Sequence, residues 1–450
     1  MVNSFINKKS SINAEKWLLK SCIFAVLLLI FTPTSAQNAV LKRADRAYQD
    51  LAFPDAIRLY QKVLKKKFNK TAMIRLANCY RLTHNYKAAA AQYAKVVALN
   101  QIPPINYFNY AQALMNNGAY QEAEQWYQRY AKEKPGDPRG AKFAESCRNI
   151  EAFYQDSAWF QLQNYPYNSS EDDFGPAWFK NGIIFGSARG EGDIIGSRYQ
   201  WNDQPFLDLY FAPVEPSGQP LGRPRLLNGK LNSRFHEAGC TVDEKNRLIY
   251  FTRNNYFHGK KGVDASGMIN LKLFYAEVSV GGWKNLRGLP FNSDAYSVGH
   301  PAIDPAGEFL YFISDMPGGF GGTDIYRARR SGNSWSQPEN LGPVINTPGN
   351  EMFPFIHRNG RLFFASDGLG GLGGLDIFQV SLPAKAITPP INLGSPINSA
   401  FDDFGLIKSS DQLYGFFSSN RPGGKGGDDL YHFSILQPGL KAVVIDQETQ

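Results

Sequence analysis

Three aspartates at a regular interval, each beside a glycine-rich loop, come closest in this chain to a chemical motif. Asp324, Asp376 and Asp429 stand 52 and 53 residues apart and follow Pro317-Gly-Gly-Phe-Gly-Gly, Gly370-Gly-Leu-Gly-Gly and Pro422-Gly-Gly-Lys-Gly-Gly. A phosphate cradle needs a helix N-terminus behind its glycines, and no helical pattern follows any of the three. Calcium asks for several oxygens from one short segment, whereas each loop here brings one carboxylate. The spacing fits a structural part better: glycines supply positive φ in a hairpin, and the aspartate accepts hydrogen bonds from the loop's own N–H groups. Nucleophile and metal motifs are also missing, since G-x-S-x-G does not occur and the six histidines form no H-E-x-x-H. Asp172-Asp173 and Asp402-Asp403 recur in equivalent stretches, as structural parts do; a catalytic centre would be unique. The expectation is a chain with no catalytic residues, no cofactor and no metal.

The aspartates belong to a longer repeat. Gly299 to Arg327 combines an alternating apolar segment, a turn at Pro305-Ala306-Gly307, an aromatic strand, the glycine loop and a further strand, and Phe353 to Val380 and Phe404 to Phe433 repeat it. Two weaker copies precede these. Lead-ins of the form Leu341-Gly-Pro-Val-Ile-Asn-Thr occur five times, and the strands that follow are Ile183 to Ser187, Leu248 to Thr252, Leu310 to Ser314, Leu362 to Ser366 and Leu413 to Ser418. A period of fifty-odd residues with aromatic and β-branched strands predicts a five-bladed β-propeller over residues 157–436. The fifth copy lacks an outer strand after Ser434. Trp159 to Gln163 has the character of one without the rest of a blade, so it is expected to complete the last blade and close the ring.

Residues 37–156 follow another period. Ala56, Ala89 and Ala123 are 33 and 34 residues apart, and each has a tyrosine four residues on, Tyr60, Tyr93 and Tyr127. This is the tetratricopeptide spacing, in which a small residue lets two helices approach and an aromatic fills the gap beside it. Three repeats and a capping helix, Ala141 to Tyr154, are predicted. The fold class is therefore multidomain α plus all-β: a tetratricopeptide α-solenoid followed by a five-bladed β-propeller.

Composition sets the compartment. The segment 1–36 reads as a cleavable signal peptide, with lysines, the apolar core Cys22 to Phe31 and Thr34-Ser35-Ala36 before the cut. That core is too short to span a bilayer. Lys8, Lys9, Lys16 and Lys20 against Glu15 supply +3 of the formal +8 before residue 37, leaving +5, too thin a balance to argue for nucleic acid. Cys79, Cys147 and Cys240 are expected to be buried free thiols, with Cys79 and Cys147 too far apart for a disulfide. Leu440 to Gln450 reads as the opening strand of a further β domain, which the chain breaks off.

Two surfaces are candidate partner sites. First-helix residues that point away from the second helix should line a solenoid groove: Asp45, Tyr48, Asn78, Arg81, Gln112, Met115 and Asn116. The loops that are short in the last three blades are long in the first two, and their Arg189, Tyr199, Trp201, Tyr256, Phe257, His258, Lys260 and Lys261 should form an aromatic and basic rim; the alternative is that these loops pack on each other.

With leader, repeats and blades of the form L-Y-F-x-S…G-G-x-G-G-x-D-I-Y in place, residues 40–435 resemble the Bacteroidota periplasmic proteins that join tetratricopeptide repeats to a WD40-like (PD40) propeller. In that family, which includes the PorE component of the type IX secretion system, a carboxypeptidase-regulatory-like β domain and an OmpA-like peptidoglycan-binding domain follow. The resemblance implies a non-enzymatic scaffold, periplasmic and associated with the outer membrane. It would dock other envelope proteins such as secretion-system components, and peptidoglycan would be reached only through a domain absent from these residues. No nucleic acid partner and no transmembrane span in the mature chain are expected. A second reading is a propeller that binds glycans or peptidoglycan fragments, through Trp201 and Tyr256.

Overall fold

The structure, a computed structural model, describes residues 38–190, 198–227, 231–257, 259–280, 282–382 and 388–436. The predicted leader, His258 and the predicted β segment at 437–450 lie outside the described residues. Two compact units divide the chain: one runs to Ile102 and includes Gln200–Asp203, the other holds Pro103–Tyr199 and the remainder from Gln204.

Among the described residues the first unit is built from four helices, α1 (38–49), α2 (Phe53–Leu64), α3 (Lys70–Leu82) and α4 (Tyr86–Val97). Asn69 starts α3 by accepting a hydrogen bond from Ala72 N at 2.8 Å, and Asn85 does the same for α4 from Ala88 N at 3.2 Å. Ala44, Ala56, Ala77 and Ala89 are fully buried, and the tyrosines Tyr60 and Tyr93 fill the gaps that these small residues leave. Each tyrosine hydroxyl then bonds a polar residue on the helix before it: Tyr60 to Asp45 Oδ1 at 2.8 Å, Tyr93 to Asn78 Oδ1 at 2.5 Å. A buried hydroxyl needs such a partner, which explains why polar residues recur on these first helices.

The second unit opens with the third repeat, α5 (Ile105–Met115) and α6 (Tyr120–Glu133), and the capping helix α7 (Arg139–Arg148). The same bond recurs, Tyr127 to Gln112 Oε1 at 3.0 Å. Five antiparallel blades follow, each ordered from the inner strand outward. The inner strands are Asp173–Phe179, Glu237–Asp243, Val298–Ile303, Glu351–Ile356 and Asp403–Lys408. The second and third strands carry the apolar load: Ile249, Phe251, Leu209, Phe211 and Phe274 form one inter-blade core, Ile313, Ile325, Phe364 and Phe378 another.

The ring closes as the sequence predicts. Phe160–Asn164 is the outer strand of the fifth blade, antiparallel to Asp429–Ile435, with Leu162 opposite Phe433 and Asn164 opposite Tyr431. Phe160 and Leu162 pack onto the core of Phe363, Ile377, Leu406, Phe417 and Phe433. The repeated aspartates open the third strands and cap the glycine loops: Asp324 accepts from Phe320 N at 2.6 Å, Asp376 from Leu372 N at 2.7 Å, and Asp429 from the N–H groups of Lys425 and Gly426. Gly371 and Gly424 admit this only because a Cβ there would collide with the carboxylate.

Leu162→Asp is expected to destabilise the propeller by about 2–4 kcal/mol, because it places an unpaired charge against an apolar core. Gln163→Asp, on the exposed side of the same strand, should leave the melting temperature within about 1 °C by calorimetry. Equal effects of the two variants would refute the closure.

Candidate functional site

The structure divides the predicted groove residues. In the first unit Tyr48 is held edge-on against Phe53 and Tyr60 and takes a hydrogen bond from Asn78 Nδ2 at 3.3 Å. Arg75 lies over the Tyr48 ring and pairs with Asp45 at 2.6 Å. Arg81 is left with a buried Nε that has no hydrogen-bond partner. The polar residues of these helices are thus largely committed to joining helix to helix.

In the second unit Gln112, Met115 and Asn116 do not line an open groove, which corrects the expectation. Gln112 Nε2 bonds Gly373 O at 2.7 Å, and Asn116 Nδ2 bonds Ala400 O at 2.6 Å. Met115 is fully buried and accepts from the Tyr127 hydroxyl. Tyr120 adds a bond to Leu372 O at 3.1 Å, and Gly371 N donates to Ser146 Oγ at 3.1 Å. The third repeat and its cap therefore grip the glycine loop of the fourth blade, largely through that loop's backbone, and the surface expected to take a partner is occupied by the chain itself.

The rim is also corrected. Arg189 is half-buried beneath it, 2.8 Å from Asp173, where it closes an internal ion pair. Trp201 belongs to the helical unit, its ring 4.7 Å from Phe53 and its Nε1 bonded to Leu82 O at 3.2 Å. Phe257 faces inward onto Phe274, and Tyr199 packs on His236 at 4.4 Å. What the two long loops do bring together is a cluster of Phe206, Phe235 and Tyr256, with Arg234 over both Phe235 and Tyr256 and Lys261 over Phe235. Tyr256 and Phe257 pair with Lys261 and Lys260 in a two-stranded ribbon, which leaves Lys260 exposed. Burial pushes His236, under this cluster, down to about 4, so it stays neutral.

Four inner strands begin on a fully buried acid: Asp173, Glu237, Glu351 and Asp403. Arg189, Arg253 and Arg421 neutralise three of them. Glu351 has no arginine. The corresponding position is Gly368, where a Cβ would meet Thr347 Oγ1 at 1.8 Å. Its donors are Thr347 N and Oγ1, both at 2.8 Å, and Ser366 Oγ at 2.7 Å. Burial outweighs these bonds and pushes the carboxyl up to about 8. Burial likewise pushes the free thiols of Cys79, Cys147 and Cys240 up to about 12.

Sequence reasoning missed the axis of the ring. Every inner strand has a bulge whose third residue takes positive φ: Gly175, Gly239, His300, Phe353 and Gly405, at 67°, 58°, 45°, 49° and 64°. The two side chains fill the space that the three glycines leave. His300 stacks on Phe353 at 3.7 Å, and Phe353 meets Phe404 at 4.7 Å and Phe174 at 6.1 Å. His300 N donates to Thr252 Oγ1 at 2.9 Å and Gly175 N to Ser418 Oγ at 3.0 Å, tying neighbouring blades together. The signal was available, since these residues hold one position of the repeat.

The profile of the tetratricopeptide repeat family matches residues 41–104 and 83–138, and the helices described above follow that pattern. No curated protein matches the chain. Among solved structures, the type III secretion chaperone SycD of Yersinia enterocolitica, in complex with a peptide of the translocator YopD, is similar at 18% identity over 26% of this chain and 95% of its own, TM-score 0.24. The family 117 glycoside hydrolase Zg3597 of Zobellia galactanivorans is similar at 14% identity, covering 61% and 89%, TM-score 0.39. A putative TolB from Agrobacterium tumefaciens is similar at 12%, covering 62% and 98%, TM-score 0.34. The chain joins tetratricopeptide repeats to a five-bladed propeller.

Two predictions follow from this geometry. Asn116→Ala together with Gln112→Ala should speed hydrogen exchange in the glycine loop at 370–374 several-fold while leaving the loop at 422–427 unchanged; equal protection in both would show that the grip is not made there. For Glu351 the folded carboxyl titrates above its ordinary range, so the folded state holds the extra proton. Its contribution to stability is complete below about pH 4.5 and is lost as pH rises to about 8. Glu351→Gln should flatten the fall in melting temperature between pH 5 and pH 8.5, and an unchanged slope would contradict the assignment.

Proposed function

We propose that this protein is a non-enzymatic adaptor of the periplasm that docks other envelope proteins and works with the type IX secretion machinery. The observation that carries the adaptor reading is the union of the third repeat with the propeller, by Gln112, Asn116, Tyr120 and Ser146 on the fourth-blade loop. Such a joint holds the surfaces of the third repeat and the propeller in fixed register, as a scaffold requires. The recurring carboxylates support the same reading, because Asp173, Glu237 and Asp403 are paired internally and Asp324, Asp376 and Asp429 cap turns. Compartment and machinery rest on the leader-like segment and the sequence resemblance. The glycan reading loses its two anchors, since the Trp201 ring rests on Phe53 and Tyr256 lies against Phe235.

The test is site-specific photo-crosslinking in a bacterium with a type IX secretion system, the reactive residue replacing Arg81 or Lys260. Crosslinks to secretion components in the envelope fraction are the expected result. Crosslinks confined to cytoplasmic proteins, or turnover of a peptide or glycoside by the purified chain, would overturn it.

A further inference from the structure

Above the aromatic plug the ring encloses a cavity of about 450 Å³, lined by all five inner strands. That is within the roughly 300–1,000 Å³ of binding pockets. Its floor carries the imidazole of His300. Phe353 N donates to His300 Nδ1 at 3.4 Å, so in the neutral imidazole the hydrogen resides on Nε2. Burial pushes His300 down to about 3 and keeps the ring neutral. Nε2–H has no partner among the described residues, and it lies in a ring that borders the cavity.

The walls narrow the ligand class. Pro176, Pro301 and Pro354 hold the same position on three strands, so that level of the wall presents no N–H there. Trp178 is committed, Nε1 to Lys408 O at 2.9 Å, and both nitrogens of His357 are bonded, to Ser409 O and by Asn359 N. A sugar, which asks for several directed hydrogen bonds, finds few here.

The mouth is charged unevenly. Lys180, Lys245, Arg358 and Lys408 line it against Asp243, Glu244 and Asp304. Asp243 is neutralised by Arg330 at 2.6 Å, and Arg330 is not part of the lining. Asp304 is turned to its own hairpin, accepting from Glu308 N and Phe309 N at 2.6 and 2.8 Å. The balance at the opening is positive.

We propose that this axial cavity is a receptor site for an extended, acidic chain end of a partner protein. The segment enters past the basic mouth and sets a backbone carbonyl against His300 Nε2–H. The inference rests on the adaptor reading for the class of its ligand and adds to it a site distinct from the helical and rim surfaces.

The test uses the purified chain, immobilised and offered a mixed-sequence hexapeptide library with both termini blocked, the retained peptides being read by mass spectrometry. Expected is enrichment of sequences rich in Asp and Glu at one end, falling as salt rises. Ser410→Trp, an exposed turn residue at the mouth, should abolish it. Arg358→Glu and His300→Phe should each weaken the selected peptide about threefold to tenfold. Phenylalanine already occupies the equivalent backbone conformation at Phe353, so His300→Phe fits the backbone while removing both the Nε2–H donor and the Nδ1 acceptor of Phe353 N. No enrichment, equal retention by Ser410→Trp, or selection of neutral or basic peptides alone would overturn the proposal, as would retention of a muropeptide mixture in place of peptides. Crosslinking from Arg81 in the Ser410→Trp chain keeps the two readings apart. If those crosslinks persist while peptide binding is absent from the wild type, the cavity proposal fails and the adaptor reading stands.

Discussion

A ring of antiparallel sheets has an exposed edge wherever one blade is incomplete, and an exposed edge pairs with whatever strand it meets. Here the last joint is made by Phe160–Asn164 on Asp429–Ile435, a strand from the start of the domain laid on its final one. That joint determines more than the ring. Phe160 follows the capping helix by two short helical turns, Ile150–Tyr154 and Ser157–Trp159, so the cap is delivered to the flank of the fourth and fifth blades. Phe153 O takes a hydrogen bond from Ser395 N at 2.6 Å, and Leu436 N donates to Trp159 O at 2.8 Å, at either end of the same approach. Given that tether, the third repeat has little choice of neighbour.

Much of this was legible in the residues. The interval between Asp324, Asp376 and Asp429 set the blade period and the turn chemistry, and the five lead-ins set the blade number, because all follow from local backbone demands that recur whenever the unit recurs. The closing strand could be found as a piece left over at one end and missing at the other. The alanine–tyrosine spacing fixed the helical repeats for the same reason.

What stayed hidden depends on what covers a residue rather than on what it is. Gln112 and Asn116 have the polarity of groove residues, and nothing in their own neighbourhood says that Gly373 and Ala400 carbonyls lie over them. Arg189 was a different kind of miss. Ser187-Ala-Arg189 and Ser419-Asn-Arg421 are one element, an arginine two residues after a strand's terminal hydroxyl, and its recurrence marks it as the internal partner of the buried acids, a role that Arg253 fills from within its strand opposite Glu237. Recurrence in equivalent stretches marks Arg421 as structural just as it marks Asp402-Asp403. The axial residues were obscured because two of them are not glycine: His300 and Phe353 hold a backbone shape that costs on the order of 1–3 kcal/mol for such residues, tolerated where packing over-determines it.

The glycine loops differ chiefly at one tip residue on a shared scaffold. Leu372 is fully buried, Phe320 is 46% exposed, and Lys425 reaches across to Pro166 O. The backbone supplies a common socket at each of these loops, and the tether of the closing strand, not the tip, brings the helical module to the fourth of them. A lineage could therefore re-route the junction by lengthening the stretch between cap and closing strand, leaving the architecture of every blade intact.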